Sequence, residues 1–343
     1  MIKPSGSAVA RAGNHASTAC PEADMTQFTS SPESSGVSVI IPAYNYQRYL
    51  AETVQSALAQ DYPGPLEVVV VDDGSTDGTG EVAGQFGGRI RYHRKVNGGL
   101  SAARNTGMEI AAYDWVLFLD ADDLLEPHAV RSLVDARDTT LPCPAVIGSL
   151  GRMIDAEGAF TSPGIARDGS VETFAARDFV LRNRFPPIAL ADRRVLLAAG
   201  GFDPALRASE DRDMWIRAAT AGPVCRLNAT LHRKRDHGSN MSRQAQRQTE
   251  SILQVLEKAA ANPQANLHSG TLRTARAVCL FQSARMHLAA GSARAAVRQC
   301  LRSLGARLWV PDPRSVGLPA FFRLRFLTLR LLGACRAAKD GAS

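Results

Sequence analysis

Four short runs in the first half of this 343-residue chain, Val37–Ile41, Leu66–Val71, Ile90–His93 and Trp115–Leu119, are separated by stretches long enough to hold helices. Three of them end in polar clusters: Pro42-Ala43-Tyr44-Asn45, Asp72-Asp73-Gly74-Ser75 and Asp120-Ala121-Asp122-Asp123. Strands alternating with helical segments predict a mostly parallel α/β sheet with helices on both faces, Rossmann-like in plan. Ligands of such sheets bind outside the carboxyl ends of the strands, so the three clusters are expected to meet in one crevice. The continuous apolar character of Trp115–Leu119 marks a strand buried on both faces.

The intervening segments carry helical periodicity. Tyr49–Ala59 has Leu50, Val54, Ala57 and Leu58 on one face; Thr79–Phe86 is a shorter helix, and Ser101–Ala112 is entered through Asn97-Gly98-Gly99. Residues 1–35 are rich in Ser, Ala, Gly and Pro without an apolar run of signal-peptide length, and read as a disordered lead. The six cysteines stand singly, which fits a reducing, cytoplasmic compartment.

Charge divides the chain unevenly. Residues 241–343 hold 16 Lys and Arg against 4 Asp and Glu, a net of +12, so the total of +7 leaves −5 for residues 1–240. This basic tail, 243–343, reads as a helical extension: Gln248–Ala261, then Leu272–Ala290 and Ala293–Leu304 joined at Gly291-Ser292. Arg323, Arg325, Arg330 and Arg336 interrupt the apolar stretch 316–338 and exclude a membrane-spanning helix. That stretch is open to two readings, an anionic membrane surface contacted peripherally from its inner face, or packing and oligomer contact. No basic module interleaved with aromatics points to nucleic acid.

Several nucleotide chemistries can be set aside. Gly78-Thr79-Gly80-Glu81-Val82-Ala83 matches G-x-G-x-x-A, but it follows a polar turn and lacks an acidic residue about 20 positions later for a ribose contact. No G-x-x-x-x-G-K-[ST] occurs. Asp120 and Asp122, two residues apart just past a buried strand, suit a hard cation; Mg²⁺ or Mn²⁺ is usually held by one or two carboxylates plus substrate phosphates. Asp123, before Leu124-Leu125-Glu126-Pro127, reads as a helix cap.

These motifs together with Ala103-Arg104-Asn105, Gly200-Gly201-Phe202-Asp203 and Glu210-Asp211, in this order over about residues 36–242, resemble the family 2 glycosyltransferases. The resemblance implies a glycosyltransferase A catalytic domain over 36–242, a nucleotide-sugar donor, a divalent metal and inversion at the anomeric carbon. It implies a nucleoside pocket at Pro42, Tyr44 and Asn45, with Asp73 accepting a hydrogen bond from the base, for which a uracil imide is suitable. Arg104 corresponds to a nucleotide contact. Asp120 faces the ribose or metal, and Asp122 holds the metal.

Direct displacement needs a base across the sugar from the leaving diphosphate. Asp211 is the expected base, in Ser209-Glu210-Asp211-Arg212-Asp213, and Ser209 also fits a helix N-cap. Asp213 points about 200° away from Asp211 on the same helix. Glu210 and Phe202 are candidate acceptor contacts. His237, in a segment running to Ser242 that resembles the family's closing loop, is a candidate neighbour of the metal. The expected activity is transfer of a sugar from a UDP-type donor to a hydroxyl of a glycan or lipid-linked acceptor in polysaccharide synthesis. A sugar-1-phosphate nucleotidyltransferase would need a glycine-rich basic loop after the first strand, which Pro42-Ala43-Tyr44-Asn45 is not. A non-catalytic sugar-nucleotide binding protein would not need Asp122 and Asp211.

Overall fold

The computed structural model describes residues 36–163, 168–237 and 244–310, with 318, 322–324 and 326–328. Val37–Ala43 (β1) is buried along its whole length and runs parallel to Leu66–Asp72 (β2) on one side and Trp115–Phe118 (β4) on the other. Arg91–Arg94 (β3) extends the parallel set beyond β2. Leu50–Leu58 (α1), Thr79–Gly84 (α2) and Leu100–Ile110 (α3) make the connections. Successive β1 residues point to opposite faces, and both are covered. Val39 and Ile41 pack with Leu50 and Val54 of α1, whereas Ile40 packs with Met108 of α3.

The second half departs from the parallel pattern. Its elements are Leu124–Leu125 (β5), Ala129–Thr139 (α4), Val146–Ile154 (β6), Val171–Phe174 (β7), Ala176–Leu181 (α5), Ala189–Asp192 (β8), Arg193–Ala198 (α6), Glu210–Ala221 (α7) and Val224–Arg235 (β9). β8 lies antiparallel between β4 and β6, while β9 is parallel to β6 and antiparallel to β5 and β7. The strand order is β3-β2-β1-β4-β8-β6-β9-β5, with β7 on β9. The sheet is therefore mixed: parallel across β3-β2-β1-β4 and again between β6 and β9, antiparallel where β8, β5 and β7 pair with their neighbours.

The tail forms Ala245–Ala261 (α8), Ser269–Ala289 (α9) and Ala293–Ala306 (α10). Val255, Leu256 and Ala259 of α8 and Ala275 of α9 belong to the same buried cluster as Phe118, Phe202 and Trp215. Phe202 meets Phe118 edge-on with centroids 5.1 Å apart. Deleting a buried aromatic of this kind costs about 3–5 kcal/mol. Beyond α10, Phe322 stacks edge-on against Phe281, and Arg323 donates to the carbonyls of Ser303 and Leu308 at 3.0 and 2.8 Å. Arg323, one of the four arginines of the 316–338 stretch, thus faces inward and caps α10. Arg325, Arg330 and Arg336 lie outside the described residues, as do 1–35 and Ser242. Among the described residues no helix is long and apolar enough to cross a membrane.

Candidate active site

The carboxyl ends of β1, β2 and β4 open into a cleft of about 1540 Å³, which the start of α7 and the end of β9 close from the other side. Pro42, Tyr44, Asn45, Asp73, Arg104, Asp120, Asp122, Glu210, Asp211 and His237 all line it. The structure thus brings together ten of the eleven residues selected from sequence.

Two loops are locked to each other at the β1 and β2 ends. Asn45 takes a left-handed conformation (φ 60°), its backbone N–H donates to Ser75 Oγ at 3.0 Å, and its Oδ1 accepts from the Thr76 N–H at 2.8 Å. Tyr44 is left 46% exposed on the cleft wall. Asp72, fully buried, accepts from the Ser75 N–H at 2.8 Å and from the Tyr92 hydroxyl at 2.5 Å, so its role is structural. Asp73 accepts from Lys95 Nζ at 2.8 Å and from the N–H groups of Gly98 and Gly99 at 2.9 and 2.6 Å. Gly99 has φ 86°, a conformation glycine adopts without a Cβ penalty, and α3 starts at the next residue. Asp73 therefore fixes the turn that aims Arg104.

Arg104 is buried and forks between two carboxylates, Glu210 Oε1 at 2.6 Å and Asp120 Oδ1 at 2.8 Å. Burial opposes its charge, but Asp120, Glu210 and Asp211 outweigh this and raise its pKa further. Asp122, mostly buried, faces His237, with Nε2 and Oδ2 2.8 Å apart. Burial and the charge of Asp120 raise the Asp122 pKa, and His237 opposes that shift. The His237 ring also packs on Tyr49, centroids 5.1 Å apart. Asp123 is not a helix cap: Leu124–Leu125 is a strand, and the Asp123 carboxylate accepts from the Arg235 N–H of β9 at 2.8 Å.

Asp211, on the first turn of α7, accepts from Asn183 Nδ2 at 2.8 Å and from the Arg212 N–H at 2.7 Å. Burial and the neighbouring charge of Glu210 raise its pKa to about 6, near the value a base working at neutral pH requires. Ser209 makes no side-chain cap; it sits at φ 58° and its Oγ donates to Gln248 at 3.2 Å. A left-handed non-glycine residue costs about 1–2 kcal/mol and is held only where its surroundings fix it. Asp213 points away into ion pairs with Arg217 at 2.7 Å and Lys258 at 3.0 Å.

Phe202 does not line the cleft. It is fully buried in the aromatic core, and its backbone N–H and C=O are both bound by Asn105 at 2.8 Å, so it cannot touch an acceptor. A glycine pair followed by an aromatic carries no signal that separates a core ring from a binding ring. Asn183, Pro204, Leu206 and Arg207 do line the cleft. Lys234 and Asn183 were missed because isolated polar residues in a strand or loop have no distinguishing sequence pattern. Arg247, Gln248 and Gln282, from α8 and α9, also reach the cleft.

The arrangement offers a cluster of carboxylate oxygens, with raised pKa values at Asp122 and Asp211, and the cations Arg104 and Lys234 around a space open to solvent. Among the described residues no three His, Cys, Asp or Glu side chains are grouped to hold a metal by themselves. Asp120 and Asp122 form a two-carboxylate donor set that phosphate oxygens would have to complete, as Mg²⁺ and Mn²⁺ commonly require.

Comparison with known proteins agrees with this geometry. Residues 38–196 match the model of glycosyl transferase family 2. The chondroitin synthase of Escherichia coli is 30% identical over 216 residues, 60% of this chain and 30% of that protein. This chain thus spans under a third of the length of that relative. TarS of S. aureus, solved in complex with UDP-GlcNAc, superposes with a TM-score of 0.58 at 20% identity, covering 81% of this chain and 82% of TarS. The mannosyltransferase PcManGT of Pyrobaculum calidifontis, solved with GDP-Man and Mn²⁺, gives 0.51 at 22% identity over 81% of each chain. The architecture is the glycosyltransferase A fold with added C-terminal helices. The stretch 38–196, which carries the strand-end motifs of β1, β2 and β4, thus matches glycosyl transferase family 2.

Proposed function

We propose that the chain transfers a sugar, with inversion, from a nucleoside diphosphate donor to a hydroxyl group of a glycan or a lipid-linked acceptor. The observation that carries this reading is the meeting of Asp73, Asp122 and Asp211, from three distant stretches, around one cleft. The nucleoside lies against Pro42, Tyr44 and Asn45, with UDP the favoured diphosphate. TarS bound to UDP-GlcNAc and PcManGT bound to GDP-Man support a nucleotide-sugar donor without choosing the base.

Asp120 and Asp122 would hold a divalent cation, Mg²⁺ or Mn²⁺, whose chemistry when bound is to neutralise charge on the departing diphosphate. His237, at 2.8 Å from Asp122, orients that carboxylate or adds a ligand beside it. Asp211 accepts the proton of the incoming hydroxyl, and Asn183 holds its Oδ2 in place for this. Arg104 keeps Asp120 and Glu210 at fixed positions, and Glu210 borders the acceptor space. Pre-set charges of this kind lower the barrier without reorganisation during the reaction.

A thermal-shift screen of the whole chain against a panel of sugar nucleotides, with and without Mn²⁺, tests the reading. A donor that binds only the folded state raises the melting temperature by mass action. The expected result is a rise with one sugar nucleotide that requires the cation and disappears in Asp122→Asn. If no member of the panel raises the melting temperature, or if the rise persists unchanged in Asp122→Asn, the reading fails.

A further inference from the structure

The helical hairpin α9–α10 has an unusual charge: no Asp or Glu occurs between Glu257 and Asp312, whereas α9 and α10 together carry Arg273, Arg276, Arg285, Arg294, Arg298 and Arg302. All six arginines are exposed, and none forms an ion pair among the described residues. On α10, Ala296, Gln299, Cys300 and Ser303 face inward. Arg294, Arg298 and Arg302, spaced by four, fall within an arc of about 80° on the outward side, and Val297, Leu301 and Leu304 fill the adjoining arc. A groove on this face is lined by Arg294, Val297, Arg298, Leu301 and Arg302. Leu301 is 55% exposed, and just past the helix Leu308 and Trp309 are 81% and 62% exposed.

We propose that the outward face of α10, with Leu308 and Trp309, is a docking surface for an anionic lipid bilayer. A row of arginines beside exposed leucines and a tryptophan matches both layers of a membrane interface: guanidinium groups meet phosphates while the apolar side chains enter the headgroup boundary. A soluble polyanion would complement the arginines but would leave the apolar flank in water. The inference is independent of the reaction assigned to the cleft, and it places the contact on α10 rather than on the 316–338 stretch.

The test uses the full chain and vesicles of phosphatidylcholine alone or mixed with an equal share of phosphatidylglycerol, read by sedimentation and by tryptophan emission. Binding is expected on the anionic vesicles only, with a blue shift that Trp309→Phe abolishes, because Trp215 is buried and Trp115 is packed in β4 under Arg137, away from α10. At about fivefold per basic residue near an anionic surface, the variant R294E/R298E/R302E should bind at least about a hundredfold more weakly. The variant L301S/W309S, which keeps every charge, should also lose binding, and both variants should melt as the parent does. Equal binding to neutral vesicles, retention by either variant, or capture by dextran sulfate with no vesicle binding would overturn the proposal.

Discussion

The guanidinium of Arg104 lies 2.6 Å from the carboxylate of Glu210, which follows it by 106 residues, and this contact ties the α3 start to the α7 start. The same guanidinium holds Asp120 at 2.8 Å, so one side chain sets the distance between the end of β4 and the start of α7 across the cleft. Arg104→Ala leaves Glu210 buried without its partner and should cost about 3–5 kcal/mol in urea unfolding. Lysine cannot reproduce a planar fork to two carboxylates, so Arg104→Lys should recover only part of that loss. In a double-mutant cycle, Arg104→Met with Glu210→Gln should be less damaging than the sum of the single changes.

Asp211 links activity and stability to pH in opposite directions. If it is the base, turnover at low substrate should rise with pH through about 6, where burial and Glu210 put its pKa. Asp211→Asn should lower turnover by about 10²–10⁴ and remove that limb of the profile. A carboxyl whose folded-state pKa lies above its unfolded value adds stability below about pH 4 that is lost as pH rises through about 6. The asparagine variant escapes this loss, so it should melt higher than the parent near pH 8 and lose that advantage near pH 4. Equal melting at both pH values would contradict the burial of a charged Asp211.

The parallel strands and the tail helices were legible in the sequence because each announces itself locally. Val39–Ile41 and Val68–Val71 are unbroken apolar runs, and α1 and α10 have clear helical periodicity. The site residues at strand ends were legible for the same reason, since fold topology brings them together whatever lies between. The antiparallel returns were not legible. β5 is two residues long, and β8, Ala-Leu-Ala-Asp, lacks the β-branched and aromatic residues that mark a strand such as β4. Phe202 and Ser209 misled because their positions depend on neighbours distant in sequence, Asn105 and Gln248. Lys234 carries no local mark at all.

His237 and Asp122 share a contact that should control the response to metal. Chelation by EDTA should abolish transfer, and Mn²⁺ or Mg²⁺ should restore it. Removing a side chain that orients a ligating carboxylate typically weakens the metal by about 10–100-fold. His237→Ala should therefore need about that much more cation for half-maximal activity, with the saturated rate less affected than in Asp122→Asn. Identical activation curves for parent and His237→Ala would separate His237 from the metal site.

Lys234 lies on the cleft wall, and although burial pulls its pKa down, Asp123, Asp120, Asp211 and Asp122 together push it above its ordinary value. It stays charged at every working pH and offsets four nearby carboxylates. A hydrogen bond from a charged donor to a diphosphate is worth about 1.5–3 kcal/mol, so Lys234→Met should weaken binding of UDP by about 10–100-fold. Because the lost ammonium also favoured an ionised Asp211, the acid limb of the activity profile should move to higher pH. Lys234→Arg should leave that limb in place.

The tail helices complete the catalytic core, so the cleft should not survive without them. Val255 and Leu256 are buried against the cluster that holds Phe202 and Trp215, and Lys258 reaches Asp203 at 2.5 Å and Asp213 at 3.0 Å. Leu256→Ala should cost about 2–5 kcal/mol, and Lys258→Met less, because Arg217 still neutralises Asp213. Ending the chain at residue 243 removes Gln248 from Ser209 and uncovers the apolar side of α7. The shortened protein should lose near-ultraviolet circular dichroism while keeping much of its far-ultraviolet signal, as expected when packing fails before secondary structure does. A sharp cooperative melt in that chain would mean the sheet and α7 hold their packing unaided.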